Sequence, residues 1–285
     1  MNPKLSLAIG IICIAFSPIF VKLAGTAPLA AAFYRIAFAW VLLAPYCIIK
    51  KHTAIARKDL LIALLAGFIF ASDIAVWNIS ILKISATVST LLANLAPVWV
   101  GLMSYIFLRK KSGWLFWVGT LIAIAGMMVL VGFDQLIGLK FNIGIVLAVT
   151  ASVFYSIYIL LTKGVLKRIS TLTFMFYNML GAMLFLLLIN WPKGADLLHY
   201  PTHVWLNFLG MGVICQLGGW LTINYAIGLL PATKTAIALL SQTVVTAIIA
   251  VLLLDEHLEL KEMIGSVIVL AGIAVTFLKP APKGS

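Results

Sequence analysis

Long, unbroken apolar segments follow one another along almost the whole chain. Each continues for about 20 residues, which is the length that an α-helix needs to cross the hydrocarbon core of a bilayer. Strands of a membrane β-barrel would instead alternate apolar and polar residues over ~10-residue segments. The chain has 285 residues, 64% of them hydrophobic and 10% charged, so little remains for a domain outside the membrane. The sequence therefore predicts an all-α membrane protein and excludes a water-soluble enzyme, a secreted disulfide scaffold and a disordered chain.

Charge clusters and Pro or Gly turns divide the chain into ten predicted transmembrane spans. The spans cover residues 4–24, 29–50, 59–82, 84–108, 113–132, 143–163, 170–190, 204–229, 231–254 and 261–279. The first apolar stretch begins next to Met1 and has no small-residue cleavage site. We therefore interpret it as a span and not as a signal peptide that is removed.

Lysine and arginine are unevenly distributed between the loops on the two sides of these spans. Basic loops of membrane proteins face the cytoplasm, and with the N-terminus inside, most of the basic residues lie on the inner side. The outer loops keep Lys22, Lys83, Lys140, Lys193 and Lys261. Both termini are therefore predicted to be cytoplasmic. The inner loops would hold Arg57, Lys110 and Lys167, and the outer loops Lys140, Asp196 and Glu256.

The net charge of +12 has the same explanation. Basic loops next to anionic lipid account for it, and no basic patch with interleaved aromatic residues points to nucleic acid. Membrane lipid is therefore an expected partner and nucleic acid is not.

The two halves of the chain repeat one pattern. At a constant offset of 146 residues the matched pairs are Asn78 and Asn224, Ala86-Thr87 and Ala232-Thr233, Gly119 and Gly265, and Gly126 and Gly272. Five spans per half is an odd number, so the second half must enter the membrane from the opposite side. The sequence predicts two inverted five-helix repeats, residues 1–138 and 139–285, between which a substrate would bind near the midplane.

Five short motifs, in this order and spacing, resemble the EamA-like branch of the drug/metabolite transporter superfamily. They are the segment 16–22 (FSPIFVK), Arg35, the segment 85–97 (SATVSTLLANLAP), the segment 254–256 (LDE) and the segment 265–272 (GSVIVLAG). The resemblance covers nearly the whole chain. Two positions depart from the family pattern: the basic Arg109-Lys110-Lys111 replaces an acidic residue after span 4, and Thr243 stands where span 9 would repeat Pro97.

The resemblance implies a ten-helix fold of two inverted repeats in the cytoplasmic membrane. It also implies a central cavity formed mainly by spans 1, 3, 4, 6, 8 and 9. Members of this family commonly export amino acids and related metabolites by alternating access. The two departures concern the gating details and not the fold.

Ionisable residues inside a span are costly, by about 2.5–3.5 kcal/mol at the helix centre on insertion scales, so each needs a reason. Arg35 and Asp73 lie at similar depth in spans 2 and 3. They could form an ion pair that holds the two helices together. Alternatively, one or both lie on the substrate path, where Asp73 would meet a substrate amine or a proton. Lys234, in the first turn of span 9, is interpreted as interfacial.

Uncharged polar residues form a stripe on each of spans 4 and 9. The stripes contain Thr87, Thr90 and Asn94, and Thr235, Gln242 and Thr246. Such residues either bond neighbouring helices, at about 0.6 kcal/mol each, or face a cavity. Asn94 and Gln242 are the better cavity candidates because their amides are large and lie near the middle of the spans.

Aromatic residues accompany these polar groups at helical spacing. Trp77 is one turn after Asp73, Trp220 is one turn after Gln216, and the two tyrosines of span 6 share a face. Polar groups next to aromatic rings are what a small amphipathic solute needs. The candidate substrate-binding residues are therefore Asp73, Trp77, Asn94, Tyr155, Tyr158, Gln216, Trp220 and Gln242.

Several functional signals are missing from the sequence. It contains no P-loop, no GxGxxG, no GxSxG and no HExxH motif, and its histidines lie in loops. Cys13, Cys47 and Cys215 lie in apolar runs without metal-ligand spacing and are interpreted as core residues. We therefore expect no catalytic residue, no metal and no cofactor.

The sequence as a whole predicts a secondary transporter that moves an amino acid or a similar amphipathic solute outward, with protons as a possible coupling partner. Two alternatives stay open at this point. One is uptake or exchange of a polar solute, and the other is a membrane-embedded enzyme or scramblase.

Overall fold

The computed structural model describes residues 1–81, 83–84, 89, 92–109, 112–131, 143–190, 199–254 and 260–278. Within these residues the regular elements are helices and there is no β-strand, in agreement with the predicted all-α class. Some residues on which predictions rest lie outside the described part. They are Ala86, Thr87, Thr90, Lys110, Lys111, Lys140, Lys193, Asp196, Asp255 and Glu256.

The first half of the chain contains six described helices. They are α1 (Pro3–Ala15), α2 (Ser17–Ala24), α3 (Pro28–Ile49), α4 (Arg57–Ile81), α5 (Ala96–Leu108) and α6 (Trp114–Val131). In the second half, a π-helical segment lies between two α-helices of one span. The elements are α7 (Ile143–Val165), α8 (Thr171–Asn190), α9 (Thr202–Gly210), the π-helical segment (Met211–Trp220), α10 (Leu221–Leu229), α11 (Ala232–Ala238), α12 (Ser241–Leu254) and α13 (Leu260–Phe277).

Eight helical stretches of the described chain are long and apolar enough to cross a membrane. Two shorter apolar helices, Ala96–Phe107 and Trp114–Val129, occupy the positions of the predicted spans 4 and 5. Large apolar side chains cover the outside of the bundle, among them Ile49 (75% exposed) and Leu188 (71% exposed). Such a surface is stable only against lipid, because in water it would aggregate.

Spans 1, 4 and 9 are interrupted within their described residues. Span 1 breaks at Phe16, between α1 and α2, where Pro18 cannot donate a backbone hydrogen bond to the preceding turn. Span 9 breaks at Leu239 and Leu240 although no proline is present there. The hydroxyl of Ser241 donates to the carbonyl of Ala238 at 2.7 Å and so binds one of the freed backbone groups.

Span 4 has a turn at Asn94 and Leu95, directly before α5. Pro97 lies in the first turn of α5, where its missing N–H costs nothing. The sequence motif 85–97 therefore ends at the beginning of a new helix.

Glycines allow the helices to touch backbone to backbone. A Cβ at Gly119 of α6 would lie 2.5 Å from the carbonyl oxygen of Gly272 in α13, and a Cβ at Gly126 would lie 2.6 Å from the nitrogen of Val269. In the π-helical segment, a Cβ at Gly212 would lie 3.0 Å from the Cβ of Phe38 in α3. Without a hydrophobic force between helices in lipid, such close packing is a main source of association.

Candidate functional site

Four aromatic side chains meet in the middle of the bundle, and we call them the aromatic cluster. Phe70 comes from α4, Tyr155 and Tyr158 from α7, and Trp220 from the end of the π-helical segment. The ring centroid of Trp220 lies 4.7 Å from that of Phe70, 5.6 Å from that of Tyr158 and 6.0 Å from that of Tyr155. The structure thus brings together three of the predicted residues and adds Phe70.

Sequence reasoning missed Phe70, although a signal was present. It precedes Asp73 by three residues and Trp77 by seven, so all three share one face of α4. An apolar residue in an apolar span does not stand out, and only the polar neighbours identify its face.

Tyr158 is held by a buried polar network. Its hydroxyl donates to Oδ1 of Asn224 in α10 at 3.0 Å, and Nδ2 of Asn224 contacts the sulfur of Met175 in α8 at 3.0 Å. Tyr158 is 1% exposed and Trp220 is 7% exposed. In this conformation the two residues are packed together, so a cavity open to water does not pass between them.

Asp73 lies next to this cluster and is partly buried. Its carboxyl is close enough to the hydroxyl of Tyr155 for an electrostatic interaction. Asp73 makes no hydrogen bond or ion pair with the described residues. The indole nitrogen of Trp77, one turn further along α4, is buried and has no hydrogen-bond partner among the described residues. Both side chains therefore have unused hydrogen-bonding capacity at the same place.

Arg35 does not form the predicted ion pair with Asp73. Its Nε donates to Oε1 of Gln216 at 3.0 Å, and its Nη1 donates to the hydroxyl of Ser17 at 3.0 Å. The reason is the rotation of the helices: Arg35 of α3 faces Ser17 of α2 and the π-helical segment, whereas Asp73 of α4 faces Tyr155 of α7. Gln216, predicted to bind substrate, uses its side-chain oxygen to hold Arg35.

Asn94 and Gln242 lie at the helix breaks of spans 4 and 9. Nδ2 of Asn94 donates to the hydroxyl of Thr243 across a distance of 3.5 Å, a weak bond that joins the two breaks. Gln242, the neighbour of Thr243, is partly exposed. No described contact joins Asn94 or Gln242 to the aromatic cluster. The single cavity predicted to contain Asn94, Gln242 and the aromatic residues therefore stays a prediction.

One residue of the polar stripe on span 9 bonds a neighbouring helix. The hydroxyl of Thr246 donates to the carbonyl of Ala15 in α1 at 3.0 Å. Thr235 instead donates to the carbonyl of Pro231, one turn back. Thr246 therefore follows the alternative in which the stripe bonds a neighbouring helix, whereas Thr235 bonds only its own helix.

Comparison with known proteins decides the family. The sequence model of the EamA-like transporter family matches residues 4–132 and 142–278. The chain belongs to the EamA-like transporter family. It is therefore a membrane transporter of small solutes and a multi-pass membrane protein, which in bacteria lies in the plasma membrane.

Relatives of this EamA-like transporter are known from bacteria and archaea. The "Uncharacterized transporter YdfC" of Bacillus subtilis (strain 168) is 24% identical, with 96% of this chain and 90% of the relative covered. An "Uncharacterized transporter" of Archaeoglobus fulgidus is 29% identical, covering 93% of this chain and 94% of the relative. A crystal structure of a protein that is 14% identical has a TM-score of 0.83, with 97% and 96% of the two chains covered. At this identity the likeness shows the fold alone.

The EamA-like transporter thus carries two kinds of polar group in its centre. Arg35, Gln216 and Tyr158 have partners within the protein and are part of its structure. Asp73, Trp77 and Gln242 make no side-chain hydrogen bond with the described residues. The second group is the one that can bind a solute.

Proposed function

We propose that this transporter exports a small amphipathic solute with an amine, such as an amino acid, by alternating access. One observation carries the proposal: Asp73, a carboxylate deep in a span, has no ion-pair partner among the described residues and lies beside the aromatic cluster. An intramembrane carboxylate is expensive and is kept where it binds a cation or a proton. The ammonium group of a solute supplies the missing partner.

The surroundings of Asp73 suit such a solute. Aromatic faces attract an ammonium group, and the effect is largest in a desolvated site. The unpartnered N–H of Trp77 can donate to an acceptor on the solute. The apolar faces of Phe70 and Trp220 would take its side chain. A proton that replaces the solute on Asp73 would couple transport to the proton gradient.

Alternating access requires two halves that move against each other. The proposal places them at residues 1–138 and 139–285, as inverted five-helix repeats of a ten-helix fold. Two observations support this division. The family model matches the chain in two consecutive segments, 4–132 and 142–278, and spans 4 and 9, which correspond in the two repeats, both break at mid-span. Interrupted helices are typical of the substrate sites of such transporters.

The test is solute flux in proteoliposomes with a matched pair of variants. Phe70 and Phe68 lie on the same helix, but Phe70 is 2% exposed in the aromatic cluster and Phe68 is 46% exposed on the outer face. Loss of an aromatic contact is worth about 0.5–1.5 kcal/mol, so Phe70→Leu should raise the KM for radiolabelled L-phenylalanine by about two- to tenfold. Phe68→Leu should leave the KM unchanged.

Two results would contradict the proposal. Equal KM values for the two variants would remove the aromatic cluster from the binding site. Wild-type proteoliposomes that move no amino acid and no amine, but scramble labelled lipid, would favour the scramblase alternative.

The proposed orientation has its own test. With the three native cysteines replaced, Lys167→Cys should be protected from an impermeant thiol reagent in whole cells, because its loop would be cytoplasmic. Thr202→Cys, at the opposite end of the bundle, should be labelled. Both positions are exposed, so accessibility of the side chain does not differ between them. Labelling of Lys167→Cys alone would reverse the orientation.

A further inference from the structure

Arg35 is a positive charge inside the bundle that is not part of the proposed amine site. It lies seven residues after Pro28, the first residue of α3, and so about 10 Å into the span. An arginine that faced lipid at this depth would extend its side chain toward the headgroups. Arg35 is instead turned into the protein, where Ser17 and Gln216 accept hydrogen bonds from it at 3.0 Å each.

The charge of Arg35 is not balanced by the described part of the protein. Its two acceptors are a hydroxyl and an amide oxygen, and the thiol of Cys215 is close enough for an electrostatic interaction. None of these groups carries a full negative charge. No ion pair joins Arg35 to a carboxylate among the described residues. Because a charge without a counter-charge is costly inside a span, an anion that binds here would be stabilised.

Arg35 also has hydrogen-bond donors that are not used. A guanidinium has five N–H groups, and the bonds to Gln216 and Ser17 use one on Nε and one on Nη1. The other three have no acceptor among the described residues. The side chains of Arg35 and Asp73 are both partly exposed, so neither charge is sealed from a ligand. The planar guanidinium can bind both oxygens of a carboxylate.

Arg35 and Asp73 flank the aromatic cluster from different helices. Gln216, which holds Arg35, lies four residues before Trp220 on the same π-helical segment. The ring centroid of Trp220 lies 6.0 Å from that of Tyr155, whose hydroxyl interacts with Asp73. A positive group, an aromatic surface and a negative group therefore follow one another across the bundle. They are the complement of a solute that carries an acid group, an apolar part and an amine.

We propose that Arg35 binds a carboxylate of the transported solute. This inference rests on the proposed function and narrows its substrate class to solutes that carry an acid group as well as an amine. The bond to Ser17 connects Arg35 to the break of span 1, and the bond to Gln216 connects it to the π-helical segment. Irregular helices are typical of the substrate sites of secondary transporters, and Arg35 lies where two of them meet.

The test measures equilibrium binding of three radiolabelled ligands to the protein in nanodiscs. L-phenylalanine has an amine and an acid group, phenethylamine has only the amine, and 3-phenylpropionate has only the acid group. Wild type should bind L-phenylalanine about ten- to a hundredfold more tightly than phenethylamine, because the carboxylate adds a hydrogen-bonded charge pair. Arg35→Gln should bind these two ligands with equal affinity, since only the contact to the carboxylate is lost.

Two further variants separate binding from a structural role of Arg35. Ser17→Ala removes one hydrogen bond of Arg35 and keeps its charge, so the preference for L-phenylalanine should persist. Arg35→Lys keeps the charge without the planar fork and should retain a preference of about threefold. Arg35→Lys also covers the case in which Arg35→Gln does not fold.

The outcomes distinguish this inference from the proposed function. Equal affinity of wild type for L-phenylalanine and phenethylamine would overturn the inference and leave the proposed function in place. An unchanged preference in Arg35→Gln, or the same loss of preference in Ser17→Ala, would overturn it too. Binding of 3-phenylpropionate that depends on Arg35, without binding of phenethylamine, would contradict the amine site and leave the acid site in place. A wild type that binds none of the three ligands would contradict both.

Discussion

Gly67→Val should reduce folded protein to a small fraction of the wild-type yield. A Cβ at this position of α4 would overlap the carbonyl oxygen of Asn178 in α8, and the nitrogen of Ala182 would lie 3.0 Å away. Both neighbours are helix backbone, which cannot rotate aside as a side chain can. Overpacking of a core typically costs about 1–3 kcal/mol, and the value is at the upper end or beyond where backbone must move.

The opposite side of the same contact is equally close. A Cβ at Gly181 of α8 would lie 2.7 Å from the carbonyl oxygen of Leu64 in α4. A glycine of each helix therefore rests on the backbone of the other helix. An added side chain at Gly67 would force α4 and α8 apart. Since packing and not hydrophobicity holds helices together in lipid, separation removes most of the stabilisation at this interface.

Size-exclusion chromatography in detergent and the melting temperature of the monodisperse peak measure the effect. Gly164→Val is the matched control, because no atom lies within 4 Å of a Cβ at Gly164 of α7. It should give the yield and melting temperature of wild type. A Gly67→Val protein that melts at the same temperature as this control would show that α4 and α8 are not packed as closely as described.

Asp73→Asn should reduce solute flux strongly and leave the yield of folded protein unchanged. No ion pair is broken by the substitution, because Arg35 bonds Gln216 and Ser17. The amide has nearly the same size as the carboxyl but carries no negative charge to pair with an ammonium. A hydrogen bond to a charged group is worth about 1.5–3 kcal/mol, so kcat/KM for L-phenylalanine should fall by about ten- to a hundredfold.

Asp59→Asn is the matched control on the same helix. The carboxylate of Asp59 accepts from Nε of Arg168 at 2.7 Å and is 7% exposed, so its loss should lower the melting temperature. It lies at the beginning of α4, far from the aromatic cluster, and flux should persist. Asp73→Asn is thus expected to lower flux but not stability, and Asp59→Asn is expected to lower stability but not flux. Normal flux in Asp73→Asn would exclude this carboxylate from both amine binding and proton coupling.

The flux should also be measured at several pH values. If Asp73 carries a proton but does not bind the amine, the pH dependence seen in wild type should disappear in Asp73→Asn while exchange between labelled and unlabelled solute continues. If the carboxylate binds only the amine, exchange should be lost as well.

The apolar length of each segment was enough to place the helices. Each described span overlaps a predicted one, because the bilayer thickness fixes the number of apolar residues and charged residues mark the ends. The break at Phe16 is explained by the serine-proline pair that comes directly after it in the sequence. The break at Leu239 and Leu240 has no such mark, since leucine is an ordinary helix residue.

The candidate site was predictable in its residue types but not in its pairing. Periodicity along a helix gives the face of a residue and not the rotation of that helix against its neighbours. Arg35 and Asp73 lie at similar depth in the membrane on adjacent spans, yet their side chains face different helices.

The glycine contact between α6 and α13 limits how the protein can move. Gly119 and Gly126 rest directly on the backbone of α13, so axial sliding by one residue would push a Cβ into a carbonyl group. The two helices are the last spans of the predicted first and second repeats, and they therefore act as a fixed seam along one edge of the molecule. Under the proposed alternating access, opening on either side of the membrane would be a rotation about this seam, largest at the helices furthest from it and smallest beside it.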